Sequence, residues 1–324
     1  MLIKNTRPNL LLTGSTGFIG SAIASRLISC SDYQLICALR CDSNIGPNCQ
    51  SVVVGDLNDD TQWADALCNV DVVIHTAGRV HLMKDSAYDP LTEFRKVNVE
   101  GTLSLARQAS AVDVKRFIFI SSIKVNGEVT VPGKPFSADD SPNPPDPYAI
   151  SKREAEIGLH TLAKETGMEV VVIRPPLVYG AGVKANFKTM MDWINLGIPL
   201  PLGAIYNKRS FVALDNLVDL ILTCIKHPAA ANQTFLAADN EDVSTTELLQ
   251  LIGDALGKPA RLIPVPVCLL SYAAAVLGKK KAAERLFGSL QVDISKTRDL
   301  LGWEPPLSVQ EGLLKAVEDA ESGL

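Results

Sequence analysis

The sequence has no apolar run long enough to cross a bilayer. Its most apolar stretch, Val267 to Leu277, is broken by Ser271 and Tyr272 and leads into Lys279, Lys280 and Lys281. We expect a core-facing helix there and no stable membrane insertion. The alternative is a patch that touches a membrane or a lipid-linked substrate. Cysteine pairing is also missing: the seven cysteines, an odd number, include no Cys-x-x-Cys, which points to reduced thiols rather than a disulfide framework. The four histidines (75, 81, 160 and 227) lack metal-ligand spacing, so no metal is expected. The first eight residues lack the apolar run of a signal peptide, and the expected location is cytoplasmic. Excess positive charge is absent too: a formal net charge of −5 argues against a nucleic-acid partner.

What is present describes an ordinary globular chain. Of its 324 residues, 47% are hydrophobic and 21% charged, enough for one large or two modest domains with real cores. Leu10 to Thr13 reads as a short buried strand, and Gly14-Ser15-Thr16-Gly17-Phe18-Ile19-Gly20 follows it directly, before a helical stretch from Ser21 to Ile28. Glycines at this spacing let a chain turn tightly, approach a phosphate and pack a helix on a strand. The helix N-terminus then offers free N–H groups to a pyrophosphate.

The alternation continues, with strands expected at 34–39, 52–54, 71–74, 116–120 and 170–173. Helical patterns lie between them at 61–67, 89–109 and 148–165. Short β-branched runs alternating with helices predict an α/β fold: a Rossmann-type, doubly wound parallel sheet. We place that domain at 1–176. A smaller C-terminal α/β substrate domain occupies 177–324, with a segment of about 208–228 packing back on the first.

Ligands of such sheets bind beyond the carboxyl ends of the strands. Those ends carry the glycine loop, Arg40, Gly55-Asp56-Leu57, His75-Thr76-Ala77-Gly78, Ser121-Ser122 and Arg174-Pro175. Beyond them lies Asp146-Pro147-Tyr148-Ala149-Ile150-Ser151-Lys152. Asp146 can cap a helix and Pro147 suits its first turn. Tyr148 and Lys152, four residues apart, then share a face. A nearby ammonium favours a phenolate, so the pair suits acid–base work.

Taken together, these features resemble the short-chain dehydrogenase/reductase superfamily, in its extended branch of nucleotide-sugar epimerases and dehydratases. The carrying motifs are Thr-Gly-x-x-Gly-x-x-Gly, Gly-Asp-Leu, His-x-Ala-Gly, Asn98-Val99-Glu100-Gly101-Thr102, Ser121-Ser122, Tyr-x-x-x-Lys and Arg174-Pro175. Asp293-Ile294-Ser295-Lys296 and Leu300-Leu301-Gly302-Trp303 extend the likeness nearly to the C-terminus. The resemblance implies that Tyr148 takes a proton from a sugar hydroxyl, that Lys152 binds a nicotinamide ribose and keeps the phenol's pKa low, and that Ser122 bonds the reacting oxygen. It further implies an NAD or NADP site at Gly14, Gly17, Phe18, Ile19, Gly20, Arg40, Asp56, Leu57, Ala77, Gly78, Tyr148, Lys152 and Pro175. Arg40 leaves NADP open, because a guanidinium can pair with a 2′-phosphate. Ser121 is expected to fill its strand end and satisfy backbone groups, and Asn98 to tie strands together.

The reaction expected is 4-epimerisation of a UDP-hexose or UDP-N-acetylhexosamine by transient oxidation at C4. Related 4,6-dehydratases carry an Asp-Glu pair after the catalytic hydroxyl, and Ile123 and Lys124 stand here instead. The alternatives are an NADPH-dependent 4-keto reductase, an epimerase of a lipid-diphosphate-linked sugar, and a non-catalytic NAD(P) sensor. For the nucleotide-sugar substrate the resemblance offers His81, Ser122, Lys124, Tyr148, Asn186, Arg209 and Arg285. Leu177 stands where related 4-epimerases carry a phosphate-binding Asn. A homodimer through a four-helix contact is expected by the same likeness.

Overall fold

The computed structural model describes residues 7–30, 32–43, 45, 49–80, 89–131, 133–183 and 186–322. Six strands form in the order in which the β-branched runs occur: β1 (Asn9–Thr13), β2 (Gln34–Leu39), β3 (Gln50–Val53), β4 (Val72–His75), β5 (Arg116–Ile120) and β6 (Glu169–Arg174). Each is paired parallel to its neighbours, and β9 (Thr234–Leu236) completes a seven-stranded sheet ordered β3-β2-β1-β4-β5-β6-β9. The strand order reverses between β1 and β4, which stay paired to their ends, and such a switch point leaves a crevice beyond the carboxyl ends of the strands. Strands β4 and β5 are buried along their whole length, as expected where helices cover both faces of a sheet. Leu11, Val73, Phe117, Phe119, Val170 and Val172 from the sheet meet Leu105, Ala109 and Leu159 from the helices in one core.

Helix α1 (Phe18–Ser29) starts inside the glycine stretch, directly after Gly17, three residues before the helical pattern is evident in sequence. The expected 89–109 helix is α2 (Pro90–Arg95) and α3 (Thr102–Ala111) with a π-helical turn, Lys96–Gly101, between them. Asp89 caps α2 by accepting from Leu91 N and Thr92 N, and Pro90 fills the first position. Helix α4 (Pro147–Thr166) is capped by Asp146, which accepts from Ala149 N at 2.8 Å, and ends at Gly167 with φ +79°.

The helix expected at 61–67 does not form; this stretch is a series of turns. Its short polar side chains take the backbone's partners. Asp60 N donates to Asn58 Oδ1 (2.8 Å), Thr61 Oγ1 donates to Asp56 O (2.8 Å), and Trp63 N donates to Gln108 Oε1 (3.0 Å). Such local bonds compete with helical ones.

The chain divides into two compact units. The first takes residues up to Val125, Ser141–Arg174 and Leu220–Phe235; the second takes Asn126–Asp140, Pro175–Asp219 and the chain from Leu236. In the second, β7 (Leu177–Tyr179), β8 (Arg209–Ala213) and β10 (Asp242–Val243) form a small mixed sheet. Around it pack α5 (Asn186–Asn195), α7 (Thr245–Ala255) and α11 (Val309–Ser322), with Phe187, Phe211, Leu249, Val309 and Leu313 in the core. Helix α6 (Leu214–Lys226) is split between the units at Asp219/Leu220. The remaining helices are α8 (Val267–Val276), α9 (Lys280–Phe287) and α10 (Ser295–Leu301).

Helix α8 forms where the apolar stretch predicts it but is not core-facing: none of its residues is buried. Val267 and Leu270, three apart on one face, pack on the second core, while Leu269, Tyr272 and Val276 on the other face stay exposed. Among the described residues no helix is long and apolar enough to cross a membrane.

Candidate active site

The glycine turn is held by Gly17 N donating to Gly14 O at 2.9 Å, with Gly14 at φ +74°. A Cβ on Gly14 would meet Ala77 N at 2.8 Å, and one on Gly20 would lie 2.0 Å from Gly14 O. The turn thus packs directly on the end of β4, where Thr76 Oγ1 donates to Thr13 O at 2.7 Å. Gly17 caps α1 with no side chain, and the first helical turn, where Phe18 and Ile19 lie half-buried, carries no acid. The N–H groups of that turn are left for an anion, so these residues fit a dinucleotide pyrophosphate. Gly20→Ala is therefore expected to cost about 1–3 kcal/mol of stability by overpacking. It should also leave the purified protein without dinucleotide, measured by chromatography of the denatured extract.

Other strand ends converge on the same edge. Arg40 and Asp56, after β2 and β3, face each other at 3.8 Å, both largely exposed. Leu57 instead packs against the core of the sheet. A Cβ on Gly78 would stand 3.4 Å from Lys152 Nζ and 3.0 Å from Asn98 Oδ1, so β4 and α4 meet at this glycine. Pro175 is buried just past β6.

Helix α4 carries the chemistry on one face, at Tyr148, Lys152 and Glu156. Lys152 is buried; its Nζ donates to Ile120 O at 2.9 Å and lies 4.5 Å from the centre of the Phe119 ring. Burial lowers its ammonium to about 8, with the charge of Glu156 opposing that shift. The Tyr148 ring meets Phe94 edge-on, with centroids 5.9 Å apart. Its phenol is not held low by Lys152, as the resemblance implies. Loss of hydration pushes it up to about 12, Asp146 adds to the rise, and a hydrogen bond from Ser122 works against it. Lys152 is aimed at the β5 carbonyl and the Phe119 ring.

Ser122, half-buried at the end of β5, also accepts from Lys124 N at 3.3 Å. Lys124 itself pairs with the cap residue Asp146 at 2.7 Å, which ties the loop after Ser122 to the start of α4. Ser121 does not serve the backbone through its hydroxyl: Oγ donates to Glu156 Oε1 at 2.6 Å. Asn98, in the π-helical turn, accepts from Arg79 N (2.8 Å) and donates to Arg79 O and Ser151 Oγ (3.0 Å each), a structural role.

Sequence reasoning missed Glu156. It is fully buried and receives Arg174 Nε at 2.9 Å and Nη2 at 2.6 Å in a two-pronged ion pair. The signal was present as a third residue at the Tyr148–Lys152 spacing. In the second unit, Arg209 Nη1 donates to Arg285 O (2.7 Å) and Gly288 O (3.0 Å). Arg285 Nε donates to Glu128 Oε1 at 2.6 Å. The Arg209 guanidinium thereby reaches the backbone of Arg285, whose own side chain pairs with Glu128. His81 lies outside the described residues, as does the side chain of Asn186.

Structures with this fold include the UDP-glucuronic acid 4-epimerase of Bacillus cereus in complex with NAD, with a TM-score of 0.77, 21% identity and 97% of each chain covered. The UDP-glucose 4-epimerase of Thermotoga maritima superposes with a TM-score of 0.76 at 23% identity, covering 97% of this chain and 99% of that one. In sequence, a UDP-glucose 4-epimerase of Vibrio cholerae is 50% identical over 311 residues, which span 96% of this chain and 94% of the relative. The NAD dependent epimerase/dehydratase family is matched over residues 10–238, from β1 past the last strand of the large sheet. The chain therefore belongs to the NAD-dependent epimerase/dehydratase family.

Proposed function

We propose that this enzyme is an NAD(P)-dependent 4-epimerase of a nucleotide-linked hexose or N-acetylhexosamine, working as a cytoplasmic homodimer. The observation that carries the reading is the Ser122–Tyr148 hydrogen bond beside buried Lys152, with no carboxylate at Ile123 or Lys124. Such a site can move a proton on and off a hydroxyl and lacks the acid and base that eliminating water needs.

When bound, the nicotinamide supplies a hydride acceptor and donor. Gly14, Gly17 and Gly20 hold the pyrophosphate, and Ala77 and Gly78 let the cofactor approach Lys152. Tyr148 takes the proton of the C4 hydroxyl as the C4–H bond breaks, and Ser122 bonds the oxygen that becomes the ketone. Once the keto sugar has turned, Tyr148, by then the neutral phenol, would give the proton back to the same oxygen. Lys152, charged below about pH 8, stabilises the phenolate that has to be present before the proton is taken. Asn186, Arg209 and Arg285 serve the diphosphate in this reading, supported by the Arg209–Arg285 contact, and His81 and Lys124 serve the sugar. The 50% identity to a UDP-glucose 4-epimerase supports the carrier and the carbon.

A 4-keto reductase is the second reading, favoured by exposed Arg40 at the end of β2, where a 2′-phosphate could pair with it. One experiment separates them. Purified protein carrying oxidised NAD that interconverts UDP-glucose with UDP-galactose, or the N-acetyl pair, supports the epimerase. No turnover of either pair, with NADPH consumed only when a 4-keto sugar is supplied, rejects it in favour of the reductase.

A further inference from the structure

Helix α8 presents an apolar face that the protein itself leaves uncovered. Val267, Leu270 and Ala274, at i, i+3 and i+7, turn toward the second core, and the first two pack on it. Leu269, Tyr272 and Val276 have the same spacing on the opposite face and are 59, 73 and 71% exposed. Leu277 follows at 72% exposed, and Gly278 then turns the chain at φ +68°.

Exposed apolar side chains also lie on the segment just before this helix and at the end of α5. Leu200 N donates to Arg261 O and Ile263 N to Leu200 O, at 2.8 Å each, and Lys258 Nζ donates to Asn195 Oδ1 at 3.0 Å. These bonds lay the end of α5 beside the segment leading into α8. Each carries exposed apolar side chains: Trp193, Leu196 and Ile198 on the first, Ile263 on the second.

The charge on this stretch is one-sided. Between Asp254 and Glu284 the chain has Lys258, Arg261, Lys279, Lys280 and Lys281 and no acidic residue, in a protein whose net charge is −5. Lys258, Arg261, Lys279 and Lys280 are exposed, and Lys280 lies 3.8 Å from Glu284. Apolar and aromatic side chains beside a local excess of lysine match the boundary between headgroups and acyl chains of an anionic bilayer. A second copy of the chain fits less well, because a self-contact would set these cations against one another.

We propose that this face of the second unit docks on the surface of an anionic phospholipid bilayer. Leu269, Tyr272, Val276 and Leu277 enter the headgroup boundary, and Lys279 and Lys280 lie over the lipid phosphates. The helix rests on the membrane without crossing it, and docking involves no catalytic residue.

The test is flotation of the full-length protein with vesicles. Phosphatidylglycerol–phosphatidylethanolamine vesicles should carry the protein upward, phosphatidylcholine vesicles should not, and added salt should release it. Leu269→Asp combined with Tyr272→Asp should weaken flotation at least about tenfold by placing two charges in the apolar boundary. Lys279→Gln and Lys280→Gln should each weaken it about five-fold. Because all four side chains are exposed, the variants should keep the parent's thermal midpoint, and that measurement guards against misfolding. Three results would overturn the proposal: no flotation with anionic vesicles, equal flotation with neutral ones, or flotation unaffected by the aspartates. A concentration-dependent dimer abolished by the same aspartates, without vesicle binding, would also overturn it and assign the face to a second copy.

Discussion

Tyr148→Phe is expected to lower turnover by about a hundred- to ten-thousand-fold, the range general acid–base catalysis supplies. Bound dinucleotide should be retained. The substitution removes one oxygen and keeps the ring that packs edge-on against Phe94, so α4 and its Asp146 cap stay in place. The glycine turn, the first turn of α1 and Lys152 are untouched. In the wild-type protein the phenol, pushed up to about 12, is protonated near neutrality, and Lys152, charged below about 8, has to favour its ionised form for the reaction. A phenyl ring can do neither job. Steady-state turnover of the UDP-sugar pairs, alongside dinucleotide content, checks this. A drop smaller than about tenfold would remove Tyr148 from the reaction and leave it a packing residue.

Much of this site was legible because its parts are local. The glycine turn follows its strand without a gap, and Tyr148 and Lys152 share a helix whose cap, Asp146, is written two residues ahead of the tyrosine. Strands β5 and β6 could be read from β-branched and aromatic runs buried on both faces. What sequence did not convey depends on partners far along the chain. The 61–67 helix is lost to side-chain bonds, one of which reaches Gln108. The burial of α8 could not be judged from its composition, because an apolar run reads the same whether or not a core receives it. The direction of the Tyr148 shift depends on how much water its surroundings exclude, which spacing does not encode. Glu156 was overlooked because a charged residue on a helix is usually solvated, and its partner Arg174 lies on a different element.

Glu156→Ala should carry the largest stability penalty of any single change at this site, about 3–5 kcal/mol, because it strands a buried guanidinium without its carboxylate. Arg174 is 3% exposed and Glu156 fully buried, so water cannot take the place of the missing partner. Ser121 loses its acceptor in the same step, and Arg153 loses a weaker contact at 3.4 Å. Urea unfolding should register the loss as a lower midpoint with an unchanged slope. The double replacement Glu156→Leu with Arg174→Leu removes both charges together and should recover most of it, since apolar pairs of similar volume often match buried ion pairs. A single-variant loss below about 1 kcal/mol would mean that solvent reaches the pair and that the network is not a structural support. The carboxylate also acts on the reaction centre, one helical turn from Lys152, where its charge opposes the lowering of the ammonium. Even the stable double variant should therefore lose activity at a lower pH than the parent as Lys152 gives up its proton. A purely structural pair would leave that limb of the pH profile where it was. The same buried carboxylate thus joins the ends of β5 and β6 to α4 and keeps Lys152 charged where the phenolate must form.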